Sequence, residues 1–397
     1  MIPDKARLNK IAMILNTDDL RNQAKRILPG FVFDYIDGGA EDEKTLQINR
    51  RAFDQWLFAP SVLRDASQRD LSVSLGNSRL SAPLLVAPTG YNGMLRHNAD
   101  LMLAQSAAQA GIGYIQSTVS TAAMESVAEA SPGDRWFQLY VLKDRQVTRD
   151  LLERATRAGC SALVVSVDAV HFGNRERDKR HYRRPMKLSY RAMAEVAMKP
   201  RWFCSTLLPA GMPGFGNLLP YLPPEYQKGA GGAGYFASQM DTTLNWEILK
   251  WIRSLWQGDL YIKGLMTPQD ALLAKSIGAT GIVISNHGGR QLDGTLSPLT
   301  VLPEIRRQTG PGFTLLIDSG FRRGTDIVKA LALGADAVLL GRPLLYALAV
   351  GGRAQLDKTI AALIGETSQT LAQLGCTSPG ELTPDLLYTP SGQSAAR

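Results

Sequence analysis

The chain has 397 residues, 45% hydrophobic and 20% charged, which is typical of a soluble globular protein with a large core. Its three cysteines, Cys160, Cys204 and Cys376, are odd in number and widely spaced, so neither a disulfide framework nor a metal site is indicated. The first residues are polar and lack an apolar signal core, which argues against export. We therefore expect a cytoplasmic protein without a metal.

Helices are predicted at the start of the chain, over about residues 1–30. Asn16 or Thr17 is placed to cap a helix that runs to Leu28, where Pro29 stops it. These helices precede a repeating pattern that occupies most of the remaining chain.

The repeating pattern consists of apolar strand segments with helical segments between them. Most intervals between predicted strand ends are 22 to 34 residues, the length of one strand-plus-helix unit. Alternating strands and helices imply a parallel sheet covered by helices, and eight units can close into a barrel. The strands are predicted to end near Pro88, Thr118, Val141, Asp168, Gly264, Asn286, Gly320 and Arg342.

An open, doubly wound sheet is the alternative architecture. It would need fewer strands and usually carries a Gly-x-Gly-x-x-Gly turn after the first one. The segment after the first predicted strand, Thr89–Gly93, reads TGYNG and lacks that pattern. We therefore predict an α/β fold, a (β/α)8 TIM barrel that occupies residues 1–397 as a single domain.

One interval, from Asp168 to Gly264, is too long for a single unit and predicts an insertion after strand 4, over about residues 176–240. Between Arg175 and Arg201 it carries ten Lys or Arg and three Asp or Glu, a net charge of +7. Such a block favours an anionic surface, either lipid or nucleic acid. No nucleic-acid recognition motif accompanies it, so we expect no nucleic-acid partner. Prolines interrupt the apolar stretch that follows, so this segment can lie on a membrane but not span it.

Polar residues and glycines gather at the predicted strand ends, where barrels of this kind place their chemistry. A core has little use for so many polar side chains converging at one rim, so their convergence predicts a site. The residues are Thr89, Gly90, Ser117, Gln138, Tyr140, Ser166, Asp168, Lys263, His287, Arg290, Asp318, Gly320, Gly341 and Arg342.

Residue chemistry suggests what this site binds. Glycines and arginines after strands 7 and 8 offer backbone N–H groups and positive charge to a phosphate, which implies a phosphorylated cofactor. His287 is the side chain best suited to remove a proton near neutral pH. Lys263 would hold a fixed charge beside an electron-rich ring, and the alternative is a Schiff-base lysine in an aldolase barrel.

The segments 285–294, 263–264, 136–141, 175–178 and 318–324, together with Asp168, resemble the FMN-dependent 2-hydroxy acid dehydrogenase and oxidase family over about residues 15–385. The resemblance implies that His287 is the base and that Asp168 stabilises its imidazolium. Arg175 and Arg290 would clamp the substrate carboxylate, and Tyr35 and Tyr140 would hydrogen-bond the substrate. FMN would be held by Gly90, Ser117, Gln138, Ser166, Lys263, Ser285, Asp318, Gly320, Arg322, Gly341 and Arg342. Ser166 stands where the family more often has threonine, but it keeps the hydroxyl.

Within the family, the chain resembles the (S)-mandelate dehydrogenases more than the glycolate oxidases, notably in segments 37–43, 88–90, 175–178 and 245–247. The resemblance implies oxidation of (S)-mandelate to benzoylformate, with quinone-linked L-lactate dehydrogenase, or another 2-hydroxy acid oxidase, as the alternative. Gly90 matches the dehydrogenases, which implies electron transfer to a quinone-type membrane acceptor. We further expect a homo-oligomer, a tetramer, bound peripherally at the inner face of the cell membrane through residues 176–240.

Overall fold

Eight parallel strands form a closed barrel in a computed structural model that describes residues 14–184, 187–227 and 231–390. Each strand pairs with its neighbours in chain order, and β4 pairs with β5 to continue the ring across the long insertion. The predicted TIM barrel is therefore confirmed, and its strands end within about three residues of the predicted positions. Their bounds are β1 Leu84–Val86, β2 Gly113–Ser117, β3 Arg135–Leu139, β4 Ala162–Ser166, β5 Asp259–Leu265, β6 Gly281–Ile284, β7 Thr314–Ile317 and β8 Ala337–Leu340.

The barrel interior is a packed core that is closed at one end. Trp136 and Tyr261 stack inside it with ring centroids 4.6 Å apart, among buried aliphatic side chains of the other strands. A hairpin formed by Val73–Leu75 and Ser78–Leu80 adds Leu75 and Leu80 to the same cluster. Because this interior is filled, the room for a ligand is at the carboxyl ends of the strands.

Helices surround the barrel and follow most of its strands. Apolar side chains on their inner faces bury against the outward-facing residues of the strands. The last helix turns sharply at Gly352, which has a φ of +60°. The helices are α1 Thr17–Ile27, α2 Gly30–Asp37, α3 Lys44–Arg51, α4 Ala99–Gln109, α5 Met124–Ala130, α6 Arg145–Arg157, α7 Glu176–Lys179, α8 Tyr190–Ala197, α9 Pro200–Trp202, α10 Gly231–Gln239, α11 Trp246–Leu255, α12 Pro268–Ser276, α13 Pro298–Thr309, α14 Gly324–Ala332 and α15 Arg342–Gln373.

Of the first two described helices, α2 lies over the open end of the barrel and α1 packs against α15. Residues 1–13 of the predicted helical region lie outside the described chain. Asn16 caps α1 as predicted, since its side chain accepts the N–H of Asp19. Asp37, at the end of α2, accepts hydrogen bonds from Arg21 and from the Tyr346 hydroxyl. Burial alone would raise the pKa of Asp37, but these bonds hold it well below its ordinary value. This ionised carboxylate anchors α2 to the barrel.

The segment between β4 and α11 contains α7 to α10 and the short strand pair Tyr182–Arg184 with Lys187–Leu188. Trp202 attaches it to the barrel, because its indole N–H donates to the Met94 carbonyl at 2.7 Å and its ring packs edge-on against Phe31. Across the described residues, no helix is both long enough and apolar enough to cross a membrane.

Candidate active site

A cavity of about 440 Å³ lies at the carboxyl ends of the strands, beneath α2. It brings together most of the residues that the sequence predicts for the site, from the amino-terminal helix to the last strand. Those lining it are Tyr35, Gly90, Tyr140, Ser166, Arg175, Lys263, His287, Arg290, Asp318, Gly320, Arg322, Gly341 and Arg342.

Four predicted residues stand just behind the cavity wall. Asp168 and Ser285 each contact a lining side chain, since they bind His287 and Lys263. Ser117 and Gln138 are linked to each other, with the Ser117 hydroxyl donating to Gln138 Oε1 at 2.9 Å. The structure thus places every predicted site residue at one end of the barrel.

His287 is held by its backbone and by Asp168. It adopts a φ of +57°, and Ser285 Oγ accepts its N–H at 3.0 Å. Its Nδ1 lies 3.1 Å from Asp168 Oδ1. Burial raises the pKa of Asp168, but His287 and Lys263 bring it below its ordinary value, so the carboxylate is charged. A charged Asp168 keeps the proton on Nδ1 and leaves Nε2 as the basic nitrogen.

Two arginines converge on the cavity without a closely bound carboxylate. Arg290 donates to the Gly38 carbonyl at 2.9 Å and lies over the Tyr35 ring at 5.2 Å, while Asp178 is 4.0 Å away. Arg175 donates to the Arg290 carbonyl at 3.2 Å. Burial and the charge of Arg290 lower the pKa of Arg175 to about 10. Two desolvated cations of this kind favour an anionic ligand that accepts paired hydrogen bonds.

A second cationic pair, Arg322 and Arg342, lies at the ends of β7 and β8. Within the described chain neither forms an ion pair: Arg342 donates to the Ile36, Gly38 and Gly288 carbonyls, and Arg322 donates to that of Phe321. Burial lowers the pKa of both, that of Arg342 to about 10. Arg342 begins α15, so the helix N-terminus adds to the positive potential. These features fit a phosphate.

Lys263 is charged, and its chemistry distinguishes the two alternatives for this residue. Its Nζ lies 2.8 Å from Asp318 Oδ2 and 2.7 Å from Ser285 Oγ. Burial lowers the pKa of Lys263, but Asp318 and Asp168 raise it above its ordinary value. A Schiff-base lysine must lose its proton to attack a carbonyl, so this arrangement opposes the aldolase alternative and suits a fixed charge.

The residues present fit FMN. The Nε2 atom of Gln138 is buried and has no hydrogen-bond partner among the described residues, so it is a donor that a ring carbonyl could satisfy. Arg322 and Arg342, after β7 and β8, could bind the phosphate. Lys263 is on β5, between the strand of Gln138 and the strands of these arginines. At Gly320, with a φ of +93°, a Cβ would lie only 2.6 Å from the Asn49 carbonyl oxygen, so only glycine fits at this position.

Sequence reasoning missed an aromatic wall that the insertion brings to the cavity. Phe215 and Phe236 lie 6.3 Å apart, Phe215 is 5.1 Å from Tyr91, and Phe236 is 6.0 Å from Tyr140. Ala233 and Ala237 on α10, with Val119 and Phe172, complete this side of the lining. The sequence predicts that the insertion lies near the substrate's substituent, but its apolar stretch does not indicate which aromatic side chains reach the cavity.

From the sequence, small residues near Gly90, Gly173 and the insertion are expected to leave room for a ring, and for Gly173 this prediction is wrong. A Cβ at Gly173 would lie 2.4 Å from the Arg290 carbonyl oxygen and 2.5 Å from that of Gln291, so this glycine permits close backbone packing instead. Gly90 does line the cavity, where a Cβ would lie 2.4 Å from Val119 Cγ2. The space for the substituent is therefore set by Gly90, Val119 and the aromatic wall.

Residues 24–389 match the family described as FMN-dependent dehydrogenase. The chain is 42% identical to (S)-mandelate dehydrogenase of Pseudomonas putida over 375 residues, 94% of each chain. It is 39% identical to L-lactate dehydrogenase of Alcaligenes faecalis over 380 residues, 94% of this chain and 99% of the relative. A crystal structure of (S)-mandelate dehydrogenase, described as a monotopic membrane protein, superposes with a TM-score of 0.90 at 42% identity and covers 95% of this chain and 99% of its own.

Proposed function

The chain belongs to the FMN-dependent dehydrogenase family and oxidises 2-hydroxy acids with FMN, and on this premise we propose that its substrate is (S)-mandelate and its product benzoylformate. One observation carries the proposal: the cavity pairs a cationic clamp and a base with an aromatic wall. The clamp suits any 2-hydroxy carboxylate, so the wall must provide the selectivity for an aromatic substituent.

In this proposal Arg175 and Arg290 hold the substrate carboxylate. Charge-assisted hydrogen bonds contribute roughly 1.5–3 kcal/mol each where water is excluded, which is enough to orient a small acid. Tyr35 and Tyr140 hydrogen-bond the substrate from either side of this clamp. Burial raises the pKa of Tyr140 well above its ordinary value, so its hydroxyl stays a donor at neutral pH.

His287 acts as the base in the same proposal. Its Nε2 accepts the proton that the substrate releases, and Asp168 stabilises the imidazolium that results. Asp168 can stabilise the imidazolium because its carboxylate keeps its charge. Its second oxygen, Oδ2, has no partner among the described residues, so no other side chain shares that charge there. FMN, when bound, accepts the two electrons.

We propose that the chain holds FMN with residues from all eight strand ends. Gln138 and Ser117 face the polar edge of the ring, Lys263 with Ser285 supplies the fixed charge, and the glycines and arginines after β7 and β8 take the phosphate. The full set is Gly90, Ser117, Gln138, Ser166, Lys263, Ser285, Asp318, Gly320, Arg322, Gly341 and Arg342.

A quinone-type acceptor and a membrane surface complete the proposal. Exposed apolar side chains of the insertion, including Tyr190, Met193, Met198 and Leu208, accompany the net charge of +7 between Arg175 and Arg201, which suits peripheral attachment to an anionic inner leaflet. We also propose a homotetramer with no nucleic-acid partner. Sedimentation with anionic vesicles in low and high salt tests the attachment.

Turnover with a panel of acids tests the substrate. We expect kcat/KM to be higher for (S)-mandelate than for L-lactate or glycolate, and reduction of an artificial dye to exceed hydrogen peroxide formation. A preference for L-lactate would instead assign the chain to the lactate branch, to which its relatives of 39–40% identity belong.

A further inference from the structure

Arg96 is a partly buried arginine that lies outside the active site. Its Nε atom is buried and has no hydrogen-bond partner, and no ion pair involves it in the described parts of the chain. Burial lowers the pKa of Arg96, and the positive charge of Arg201 lowers it further. A partly desolvated cation that lies beside another cation is stabilised when an anion binds between them.

The two arginines meet at the turn that divides α15. Arg96 lies against Gly352, where a Cβ would be 3.2 Å from its Cδ and 3.3 Å from its Nε. Arg201 Nη2 donates to the Val350 carbonyl at 2.5 Å, two residues before that glycine. Gly352 therefore makes room for one guanidinium, and the backbone beside it positions the other.

Capping of the helix explains Arg201 but not Arg96. A cation near the last carbonyls of a helix is stabilising, and the bond to Val350 is of that kind. Arg96 forms no such bond within the described residues. Its planar donor group is left available, and planar donors pair best with phosphate or carboxylate oxygens.

The neighbouring surface indicates where the anion comes from. Met198 and Phe203 flank Arg201 and are 69% and 41% exposed, and Lys199 reaches across to the Arg26 carbonyl. Exposed apolar side chains interleaved with basic ones lie at the depth of lipid headgroups when a protein rests on a bilayer. We infer that Arg96 and Arg201 form a binding site for the phosphate of an anionic phospholipid. This inference rests on the proposed membrane attachment.

Vesicle binding of the FMN-loaded enzyme tests the inference. We expect the unaltered protein to bind vesicles containing phosphatidylglycerol more tightly than vesicles of equal charge made with a fatty-acid carboxylate. Arg96→Gln and Arg201→Gln should each reduce this preference about tenfold, the effect of losing one charge-assisted bond. Arg191→Gln is the matched control, because Arg191 is an exposed cation of the same insertion and its loss should lower binding to both vesicles alike.

Several outcomes overturn the site. It is wrong if the Arg96 and Arg201 variants behave like Arg191→Gln, or if the unaltered protein binds both kinds of vesicle equally. Inorganic phosphate that raises the Tm of the loaded enzyme through Arg96 without affecting vesicle binding would assign the site to free phosphate. An unaltered protein that binds no vesicle would refute the membrane attachment as well.

A further variant and three measurements test whether the substitutions disturb folding. Arg96→Lys keeps the charge but loses the planar donor group, so it should retain part of the binding and lose the preference for phosphate. The flavin spectrum and turnover with dye should be unchanged in every variant, since none of these residues lines the cavity. The Tm should fall slightly in Arg201→Gln, which loses the bond to the Val350 carbonyl, and should be unchanged in the other variants.

Discussion

His287 Nδ1 lies 3.1 Å from Asp168 Oδ1, although 119 positions separate the two residues in the chain. The carboxylate is buried and charged, and it binds Nδ1, which leaves Nε2 as the other ring nitrogen. The pair therefore combines a basic Nε2 with a partner that stabilises the protonated ring.

Replacing the base should stop turnover but leave the cofactor bound. We expect His287→Ala to lower kcat by about 10²- to 10⁴-fold, the usual contribution of a general base. Asp168→Asn should also lower kcat, because a neutral partner no longer stabilises the imidazolium. Absorbance at flavin wavelengths checks retention of FMN. Near-normal turnover of His287→Ala would assign the base elsewhere.

Arg322 should be needed for cofactor affinity, and its neighbour Arg323 should not. Arg322 lines the cavity without an ion-pair partner in the described chain, whereas Arg323 is bound to Glu366 at the surface. Arg322→Gln should raise the Kd for FMN roughly 10- to 100-fold, since one charge-assisted bond to the phosphate is lost. Fluorescence titration of the apoprotein measures this, and equal losses in Arg322→Gln and Arg323→Gln would contradict the phosphate assignment.

The aromatic wall should separate large substrates from small ones. Burial of a phenyl group is worth roughly 1.5–3 kcal/mol, so Phe236→Ala should lower kcat/KM for (S)-mandelate about 10- to 100-fold and change that for L-lactate much less. Phe203→Ala is the control, because Phe203 is an exposed phenylalanine of the same insertion. Parallel losses on both acids would show that Phe236 maintains the fold of the site rather than its selectivity.

Asp37 should stabilise the protein at neutral pH and lose this effect in acid. Its pKa is lower in the folded chain than in the unfolded one, so its contribution is present above the unfolded value of about 4 and fades as the pH falls below it. Asp37→Asn leaves Arg21 and Arg177 without their buried partner and should cost about 1.5–3 kcal/mol at pH 7, the value of a charge-assisted hydrogen bond, because both arginines are partly exposed. Urea unfolding at pH 7 and at lower pH measures the difference in free energy of unfolding between Asp37→Asn and the unaltered protein. This difference should decrease below about pH 4. A difference that does not change with pH would contradict the stabilising role of the ionised Asp37 carboxylate.

The sequence by itself determined the barrel and most of its rim. β6 is a short, fully buried apolar run, and β7 is apolar and buried after its first residue; the glycines and polar residues directly after them mark where they end. Because the carboxyl ends of parallel strands share one edge, residues as distant as Gly90, His287 and Arg342 could be assigned to one site from the strand pattern alone.

Only the tertiary structure decided what covers that rim. Phe215 and Phe236 follow no barrel strand directly, and their positions depend on how the proline-interrupted insertion packs against the barrel. Likewise, Gly173 and Gly90 look alike in sequence, yet one packs against backbone and the other lines the cavity. Apolar periodicity records which face of an element is buried, but long-range contacts determine what that face is buried against, and these contacts have no local signal in the chain.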